Sequence, residues 1–281
     1  MLRMQAFRIV AAVVMVLALG GFRSATSLFA PSAELWPRWE AHDASNSASI
    51  DFSDWDTLLK RYVKAGSGGL NLFDYGAVGA DDKAALKAII ARLAALPVSG
   101  YARPQQEAYW INLYNAVTID VVLDHYPVDS IRDIDISPGF FADGPWGKEL
   151  IAVEGEKLTL NAIEHRILRP IWKDARLHYA VNCASIGCPN LAMEAYDGAR
   201  LEEQLDAAAR AYINNPRGVA IDGGSITVSS IYDWFYDDFG GTDESLMAHL
   251  QKYAEPDLAA RLRDIGKISE TAYDWNLNDT R

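Results

Sequence analysis

Five stretches of this chain space their apolar residues as an α-helix requires. In residues 54–63 the apolar side chains recur at positions i, i+3, i+4 and i+7, so they share one helix face. Pro97 and Pro216 follow two of the stretches, at places where a helix has to end. The pattern predicts helices over residues 54–63, 81–96, 104–123, 199–214 and 244–253, with shorter ones over 161–168 and 231–239. It constrains the chain to a largely helical fold.

Short β segments lie between these helices. Residues 150–158 and 218–228 each hold two short apolar runs around glycine, which is typical of hairpins, and residues 177–181 have the apolar run of a strand. No internal repeat, low-complexity tract or linker divides the chain. The sequence therefore predicts one mostly helical α+β domain with a small antiparallel sheet. We assign this domain to residues 51–255, between a flexible lead-in over residues 31–50 and a C-terminal extension over residues 256–281.

The composition excludes several classes of protein. Half of the 281 residues are hydrophobic and 23% are charged, which argues against a disordered chain, a coiled coil or a polytopic membrane protein. Acidic residues outnumber basic ones by 38 to 26, for a net charge of -12. Because phosphate binding needs clustered Lys and Arg, we predict no nucleic-acid partner.

The first 30 residues have the layout of a secretory signal peptide. Arg3 and Arg8 precede an uncharged apolar run over residues 9–19, and small residues follow up to Ala30. The run is too short for the hydrocarbon core of a bilayer, which takes about 20 residues. We predict cleavage after Ala30, a periplasmic or secreted protein, and no stable membrane span after cleavage. An uncleaved N-terminal anchor is the alternative.

The chain's two cysteines lie in one segment of small residues, 182–191 (NCASIGCPNL). Cys183 would follow the predicted strand, and the small residues after it would let a substrate approach the backbone. The N–H groups of Ala184, Ser185 and Gly187 could then stabilise an oxyanion.

The residues leave several interpretations of Cys183 and Cys188 open. One sulfur could be a catalytic thiolate, the pair could form a disulfide, or the pair could bind zinc together with His165 and His178. Two small buried hydrophobic residues are the plainest interpretation. A disulfide exchanger is disfavoured because no C-x-x-C motif is present.

A catalytic thiol requires a base, and His178 and His165 are the candidates. On an ideal strand His178 and Cys183 face opposite sides, since their positions differ by an odd number. His165 lies on a short predicted helix beside Glu164, whose side chain points about 100° away around that helix. The choice between the two histidines stays open.

Three polar residues lie on the predicted helix over 104–123. Asn112 and Asn115 are i, i+3 neighbours on one face, and Glu107 precedes them. Buried amides must find hydrogen-bond partners. They could brace neighbouring backbone, or they could line a pocket and orient a substrate carbonyl or an imidazole.

The predicted helix over residues 231–239 is rich in aromatic residues. Trp234 and Phe235 could form a binding platform or anchor the core, and Asp237 and Asp238 could supply a carboxylate or lie in solvent. The motifs of P-loop, dinucleotide-binding, serine-hydrolase and zinc-peptidase sites are absent from the sequence. One cysteine pair is only half of a structural zinc signature. We therefore predict neither a cofactor nor a bound metal.

Together these segments resemble the domain-of-unknown-function family 547, over about residues 52–253. The likeness rests on residues 108–116 (AYWINLYNA), 126–128 (YPV), 130–131 (SI), 160–169 (LNAIEHRILR), 176–185 (RLHYAVNCAS), 187–191 (GCPNL), 234–235 (WF) and 238–239 (DF). The resemblance implies that Cys183, His165 and His178 are shared features and that Cys188 is less general. It therefore favours Cys183 acting alone over a structural disulfide or a zinc site.

Our leading hypothesis is an exported thiol-dependent hydrolase or transferase, distantly like cysteine peptidases. It would act on an amide or ester in a small-molecule, peptide or glycan substrate. The nucleophile would be Cys183, and the base His178 or His165. The residues that would orient the base or polarise the carbonyl are Glu107, Asn112 and Asn115.

The alternative hypothesis is a non-enzymatic periplasmic binding or envelope-assembly protein. Its aromatic residues would line a groove for a glycan or peptide, and a Cys183–Cys188 disulfide would only hold a loop.

Overall fold

The computed structural model describes residues 30–139 and 143–281. The predicted signal peptide, apart from Ala30, lies outside these residues. The α-helices are α1 (Ser53–Tyr62), α2 (Ala80–Ala94), α3 (Arg103–His125), α4 (Arg169–Trp172), α5 (Leu201–Ile213), α6 (Ile231–Trp234), α7 (Asp243–Tyr253) and α8 (Pro256–Ile265). A π-helix spans Ala162–Leu168, and the described residues hold seven short 3-10 helices, at Pro37–Glu40, Ser67–Gly69, Tyr75–Ala77, Val98–Gly100, Ile131–Asp133, Ala175–Tyr179 and Tyr236–Phe239.

Seven short strands form three small sheets within the described residues. The strands are β1 (Val63–Ala65), β2 (Asn71–Phe73), β3 (Ile151–Val153), β4 (Glu156–Leu158), β5 (Val219–Asp222), β6 (Ser225–Ser229) and β7 (Glu270–Ala272). β1 pairs with β2, β3 with β4, and β5 with β6, all antiparallel, whereas β7 runs parallel to β6. The predicted mostly helical α+β fold is confirmed, and both predicted hairpins are present.

The predicted strand over residues 177–181 is wrong. This segment forms the 3-10 helix Ala175–Tyr179, and Ala180 keeps helical dihedral angles. The Asp174 side chain caps the helix by accepting a hydrogen bond from the backbone N–H of Arg176 at 2.8 Å. Periodicity cannot distinguish a short, fully buried apolar run in a strand from one in a helical turn.

Helix α3 lies at the centre of the fold and is buried on almost every side. It belongs to a large apolar cluster that also holds Trp39, Trp55 and Phe73. A second cluster collects aromatic residues of the C-terminal half around Tyr212. The segment before Cys183 joins the two, because Tyr179 lies in the second cluster while Leu177, Ala180 and Val181 lie in the first.

The segments before and after the assigned domain also pack against it. Trp39, in the predicted lead-in, is 2% exposed. In the predicted extension, β7 completes a sheet, and Leu277 forms a bridge to Ser185. In the described part of the chain, no helix combines the length and apolar character that a membrane crossing requires.

Candidate active site

A cavity of about 750 Å³ lies where the two apolar clusters meet. One wall is aromatic, formed by Trp146, Trp234, Phe235, Tyr273 and Trp275. The cavity is also lined by titratable side chains, among them Tyr114, Glu164, His165, His178, Cys183 and Cys188. Both candidate histidines and both cysteines therefore meet in one space, although they come from different elements.

A tight turn presents Cys183 to this cavity. Asn182 is buried, donates from Nδ2 to the carbonyl of Pro189 at 2.7 Å, and accepts the N–H of Ala184 at 2.9 Å. Ala184 has a φ of 57°, in the left-handed region that non-glycine residues rarely adopt. Such strain persists only where surrounding contacts impose it, and it often occurs at functional sites.

The C-terminal segment holds the other end of the turn. The N–H of Gly187 donates to the carbonyl of Asp274 at 2.7 Å, and the N–H of Ile186 to that of Asn276 at 2.8 Å. A Cβ on Gly187 would lie 2.7 Å from the backbone nitrogen of Asp274, so this close approach requires glycine.

These hydrogen bonds alter the expected role of the turn's amides. The N–H groups of Ala184 and Gly187, predicted as oxyanion donors, already donate within the protein. The N–H of Cys183 donates to the sulfur of Cys188 at 3.0 Å. Two of the three predicted amide donors are therefore occupied, and side chains on the cavity wall are the alternative donors to an oxyanion.

The Cys183 thiol is half-buried and lies among hydrogen-bonding groups. Its sulfur is 3.0 Å from the Tyr273 hydroxyl, 3.4 Å from the Ser185 hydroxyl and 3.0 Å from the Cys188 sulfur. The hydrogen bond with Cys188 lowers the pKa of Cys183, and the two hydroxyls lower it further, against the opposing effect of burial. Burial raises the pKa of Tyr273, so its phenol keeps its proton and remains a donor. The site therefore favours the Cys183 thiolate.

The two cysteines are free thiols. Their sulfurs are 3.0 Å apart, beyond the bond length of about 2.05 Å in a disulfide. Burial raises the pKa of Cys188 well above its usual value, so Cys188 remains a thiol beside the more acidic Cys183. The structure therefore contains no Cys183–Cys188 bond to hold the loop.

His178 forms a dyad with Asp238, on the 3-10 helix after α6. His178 Nε2 lies 2.7 Å from an Asp238 carboxylate oxygen, and Arg169 donates to the same carboxylate at 2.6 Å. Burial alone would raise the pKa of Asp238. The hydrogen bonds from His178 and Arg169 outweigh burial and hold this pKa below its usual range. An ionised carboxylate only accepts hydrogen bonds, so Nε2 carries a proton, and the neutral form of the ring has its lone pair on Nδ1.

The ring of His178 is fixed by packing as well. It stacks on Phe235 with centroids 4.2 Å apart and planes 13° from parallel. In the described part of the chain, His178 Nδ1 makes no hydrogen bond, and no imidazole is hydrogen-bonded to either thiol. The segment between His178 and Cys183 is not a strand, so the alternation of side chains along a strand does not place the two residues on opposite sides.

His165 lies on the π-helix and is held differently. Arg169 donates to His165 Nδ1 at 3.1 Å, and because arginine cannot accept, the proton of the neutral ring is on Nε2. Burial lowers the pKa of His165 to about 4, so the ring is neutral at pH 7. Glu164 also lines the cavity and accepts a hydrogen bond from Tyr114 at 3.0 Å. Short π-helical segments often occur at functional sites, and this one brings two consecutive polar residues to one cavity.

The three predicted polar residues of α3 lie outside the cavity wall. Asn112 exchanges two hydrogen bonds with the backbone of Tyr196, and Asn115 bonds the carbonyl of Ala180 and the N–H of Asn182. Both amides therefore brace neighbouring backbone. Glu107 is buried, and burial raises its pKa to about 8.

Sequence reasoning missed two groups of this site. Asp238 is one of two adjacent acids in the sequence, and nothing local pairs it with His178. Tyr273 lies in the predicted extension, 90 residues beyond Cys183, and no local motif marks it.

Among the described residues no cluster of three or more His, Cys, Asp or Glu is arranged to hold a metal ion.

Comparison with known proteins gave a match to one family model, over residues 98–213. No curated protein and no solved structure matched the chain. The matched family segment contains Glu164, His165, His178 and both cysteines, whereas Asp238 and Tyr273 lie beyond it. Residues 98–213 match the family described as "Protein of unknown function, DUF547".

Proposed function

We propose that the protein is a thiol-dependent hydrolase or transferase that acts on an amide or ester, with Cys183 as the nucleophile. The observation that carries the proposal is that a thiol with a lowered pKa and His178, which is paired with Asp238, line one cavity. Nucleophile, base and orienting carboxylate are the three parts of a cysteine-based acyl-transfer site.

His178 is the better base of the two histidines. Its Nδ1 has a free lone pair, and Asp238 would stabilise the imidazolium that forms when this nitrogen takes a proton. The Nδ1 of His165 is already engaged by Arg169, and its lowered pKa makes it a weak base. His165 is therefore assigned to hydrogen-bond donation from Nε2–H.

The proposed reaction begins with attack of the Cys183 thiolate on the carbonyl carbon, with the thiol proton passed to His178 Nδ1. The hydroxyl of Tyr273 and the Nε2–H of His165 are the donors available to the resulting oxyanion. His178 then protonates the leaving amine or alcohol, which leaves an acyl group on Cys183. Water or a second nucleophile, deprotonated by His178, takes the acyl group and restores the thiol.

Because no imidazole is hydrogen-bonded to Cys183 in the described part of the chain, the scheme requires His178 and the thiol to approach each other when the substrate binds. Catalytic hydrogen bonds are often long in unliganded enzymes and shorten when the substrate binds. Asn115 acts through the backbone in this scheme, since it fixes residues 180–182 immediately before the nucleophile.

The test is acylation by p-nitrophenyl acetate followed by mass spectrometry of the intact chain and its peptides. We expect one acetyl group on Cys183 and none in Cys183→Ala. His178→Ala should slow acylation by about 10²-fold or more, as loss of a general base does. His42→Ala, at an exposed histidine, is the matched control and should acylate normally. Equal acylation of Cys183→Ala would refute the proposal.

The aromatic wall supports a second candidate, a binding protein without turnover. Trp234 and Trp275 stack with centroids 5.7 Å apart, and Trp146 packs edge-on against Trp275. Such a wall suits a glycan or an aromatic peptide side chain. Binding of chitotriose or a tryptophan-containing peptide that quenches tryptophan fluorescence equally in Cys183→Ala, without any acyl adduct, would favour this candidate.

We also propose that the protein is exported and that residues 1–30 are its signal peptide. The support is the basic, apolar and small-residue order of that segment. N-terminal sequencing of protein from the extracytoplasmic fraction should find a chain without this segment. A chain that keeps Met1 in the membrane fraction would instead indicate an uncleaved anchor.

A further inference from the structure

We propose that Cys183 and Cys188 form a peroxide-sensitive dithiol, in which a hydroperoxide oxidises Cys183 and Cys188 then closes a reversible disulfide. This modification would remove the nucleophile of the cavity while oxidant is present. The inference goes beyond acyl transfer and does not depend on it, because it concerns only the two sulfurs.

The distance between the sulfurs supports this inference. They lie 3.0 Å apart in one turn, so an approach of about 1 Å would bring them to disulfide length. The N–H of Cys183 donates to Cys188 Sγ at 3.0 Å, which holds the second sulfur close to the first. The disulfide therefore needs no rearrangement of distant elements.

The environments of the two sulfurs assign them different roles. Cys183 is half-buried and faces the cavity, whereas Cys188 is 3% exposed. The lowered pKa of Cys183 and the raised pKa of Cys188 agree with this order. Since the thiolate is the form that attacks peroxides, Cys183 reacts first and Cys188 resolves the product.

The chemistry balances with a hydroperoxide as the oxidant. The Cys183 thiolate attacks one peroxide oxygen, the O–O bond breaks, and the second oxygen leaves with a proton as water or an alcohol. The Cys183 sulfenic acid is then attacked by Cys188, the S–O bond breaks, and the hydroxyl leaves as water with the Cys188 proton. A small dithiol reductant restores both thiols by exchange.

The hydroxyls around Cys183 suit this sequence. Tyr273 and Ser185 lie 3.0 and 3.4 Å from the sulfur that carries the sulfenic oxygen, and 3.0 Å from each other. They can donate to the departing oxygen, while the adjacent Cys188 competes with a second peroxide. Disulfide formation therefore protects Cys183 from irreversible oxidation to the sulfinic acid.

The experiment treats the full chain with hydrogen peroxide and reads the oxidation state by mass. Trypsin releases residues 177–200, which contain both cysteines and Met193. Met193 is 40% exposed, and its sulfoxide adds the same mass as a sulfenic acid, so Met193→Leu is the background for all variants. We expect this peptide to lose about 2 Da, the two thiol hydrogens, and dithiothreitol to restore its mass.

Two further variants test the assigned order. Cys188→Ala should form a dimedone-trapped sulfenic acid at Cys183 and then a sulfinic acid, whereas Cys183→Ala should leave Cys188 unmodified at the same dose. Equal oxidation rates in the two variants, or sulfinic acid without a disulfide when both cysteines are present, would overturn the inference. If the protein forms the disulfide but p-nitrophenyl acetate does not acylate it, the dithiol inference holds and only the proposed acyl transfer is refuted.

Discussion

Cys183 and His178 owe their chemistry to side chains that are remote in sequence. Tyr273 lies 90 residues from Cys183, and Asp238 lies 60 residues from His178. The thiol needs hydrogen-bond donors to favour its thiolate, and the imidazole needs a carboxylate to fix its tautomer. The residue types alone therefore identify candidates but not roles.

The first prediction concerns the pH dependence of stability at His165. Burial lowers its pKa in the folded protein to about 4, whereas the unfolded chain keeps a value near 6.5. At this group the unfolded state therefore binds more protons, and its contribution to stability is lost as the pH drops from about 7 to about 4. A difference of this size corresponds to about 3 kcal/mol of unfolding free energy at most.

Urea unfolding between pH 7.5 and 4 measures this loss. His165→Gln should show a shallower fall than the unsubstituted protein, although half-buried His249, whose pKa is also lowered to about 4 by partial burial, should retain part of the slope. His42→Gln, at an exposed side chain, is the control and should keep the full slope. An unchanged slope in His165→Gln would contradict the burial effect.

At the scale of elements, the central helix α3 supports backbone segments near the site. Its buried amides Asn112 and Asn115 share a face, yet they brace different backbone segments. Only the segment held by Asn115 leads into Cys183. Asn112 therefore supports the fold, whereas Asn115 supports the segment that carries the nucleophile.

The second prediction compares Asn112→Ala with Asn115→Ala. Each change leaves a buried carbonyl and a buried N–H without their partner, so each should destabilise the protein by about 2–4 kcal/mol. The rate at which iodoacetamide alkylates Cys183 should change only in Asn115→Ala. Urea unfolding and alkylation followed by mass spectrometry measure the two effects. Equal alkylation rates in both variants would show that Asn115 does not position the thiol.

At the scale of the whole molecule, the chain's C-terminal segment closes the site. Residues 270–281 add β7, supply Tyr273 and Trp275 to the cavity, and bury Asn278 against the turn that carries Cys183. The N–H of Asn278 donates to the carbonyl of Ala184, and its side chain accepts a hydrogen bond from Tyr75. The segment is thus part of the domain's packing.

The third prediction is that a chain ending at Ser269 loses most of its stability. It lacks three partly or fully buried apolar side chains, those of Tyr273, Trp275 and Leu277, and burying one such side chain contributes about 1.5–3 kcal/mol. The sum is comparable with the whole stability of a typical domain, about 5–15 kcal/mol. Urea unfolding monitored by circular dichroism tests this. A chain ending at Asp279, which lacks only two exposed residues, is the control. An unchanged unfolding midpoint in the shorter chain would mean that the segment is an appendage.

The sequence by itself determined α1, α2, α3, α5 and α7, the hairpins β3–β4 and β5–β6, and the polar segments from which the candidate site is built, whereas it did not predict α8 or the β1–β2 pair. Hydrophobic periodicity and proline or glycine breaks are local, so they can be read without the fold. The sequence predicts a strand where the 3-10 helix Ala175–Tyr179 lies, because the apolar pattern of a short buried run is the same in a strand and in a helical turn. Only the tertiary structure decided which side chains form the site, since Tyr273 reaches the cavity and Asp238 reaches His178 through long-range packing. It also decided which amides are already bonded and how strongly burial and neighbouring donors shift each pKa, because these depend on the complete surroundings of each group.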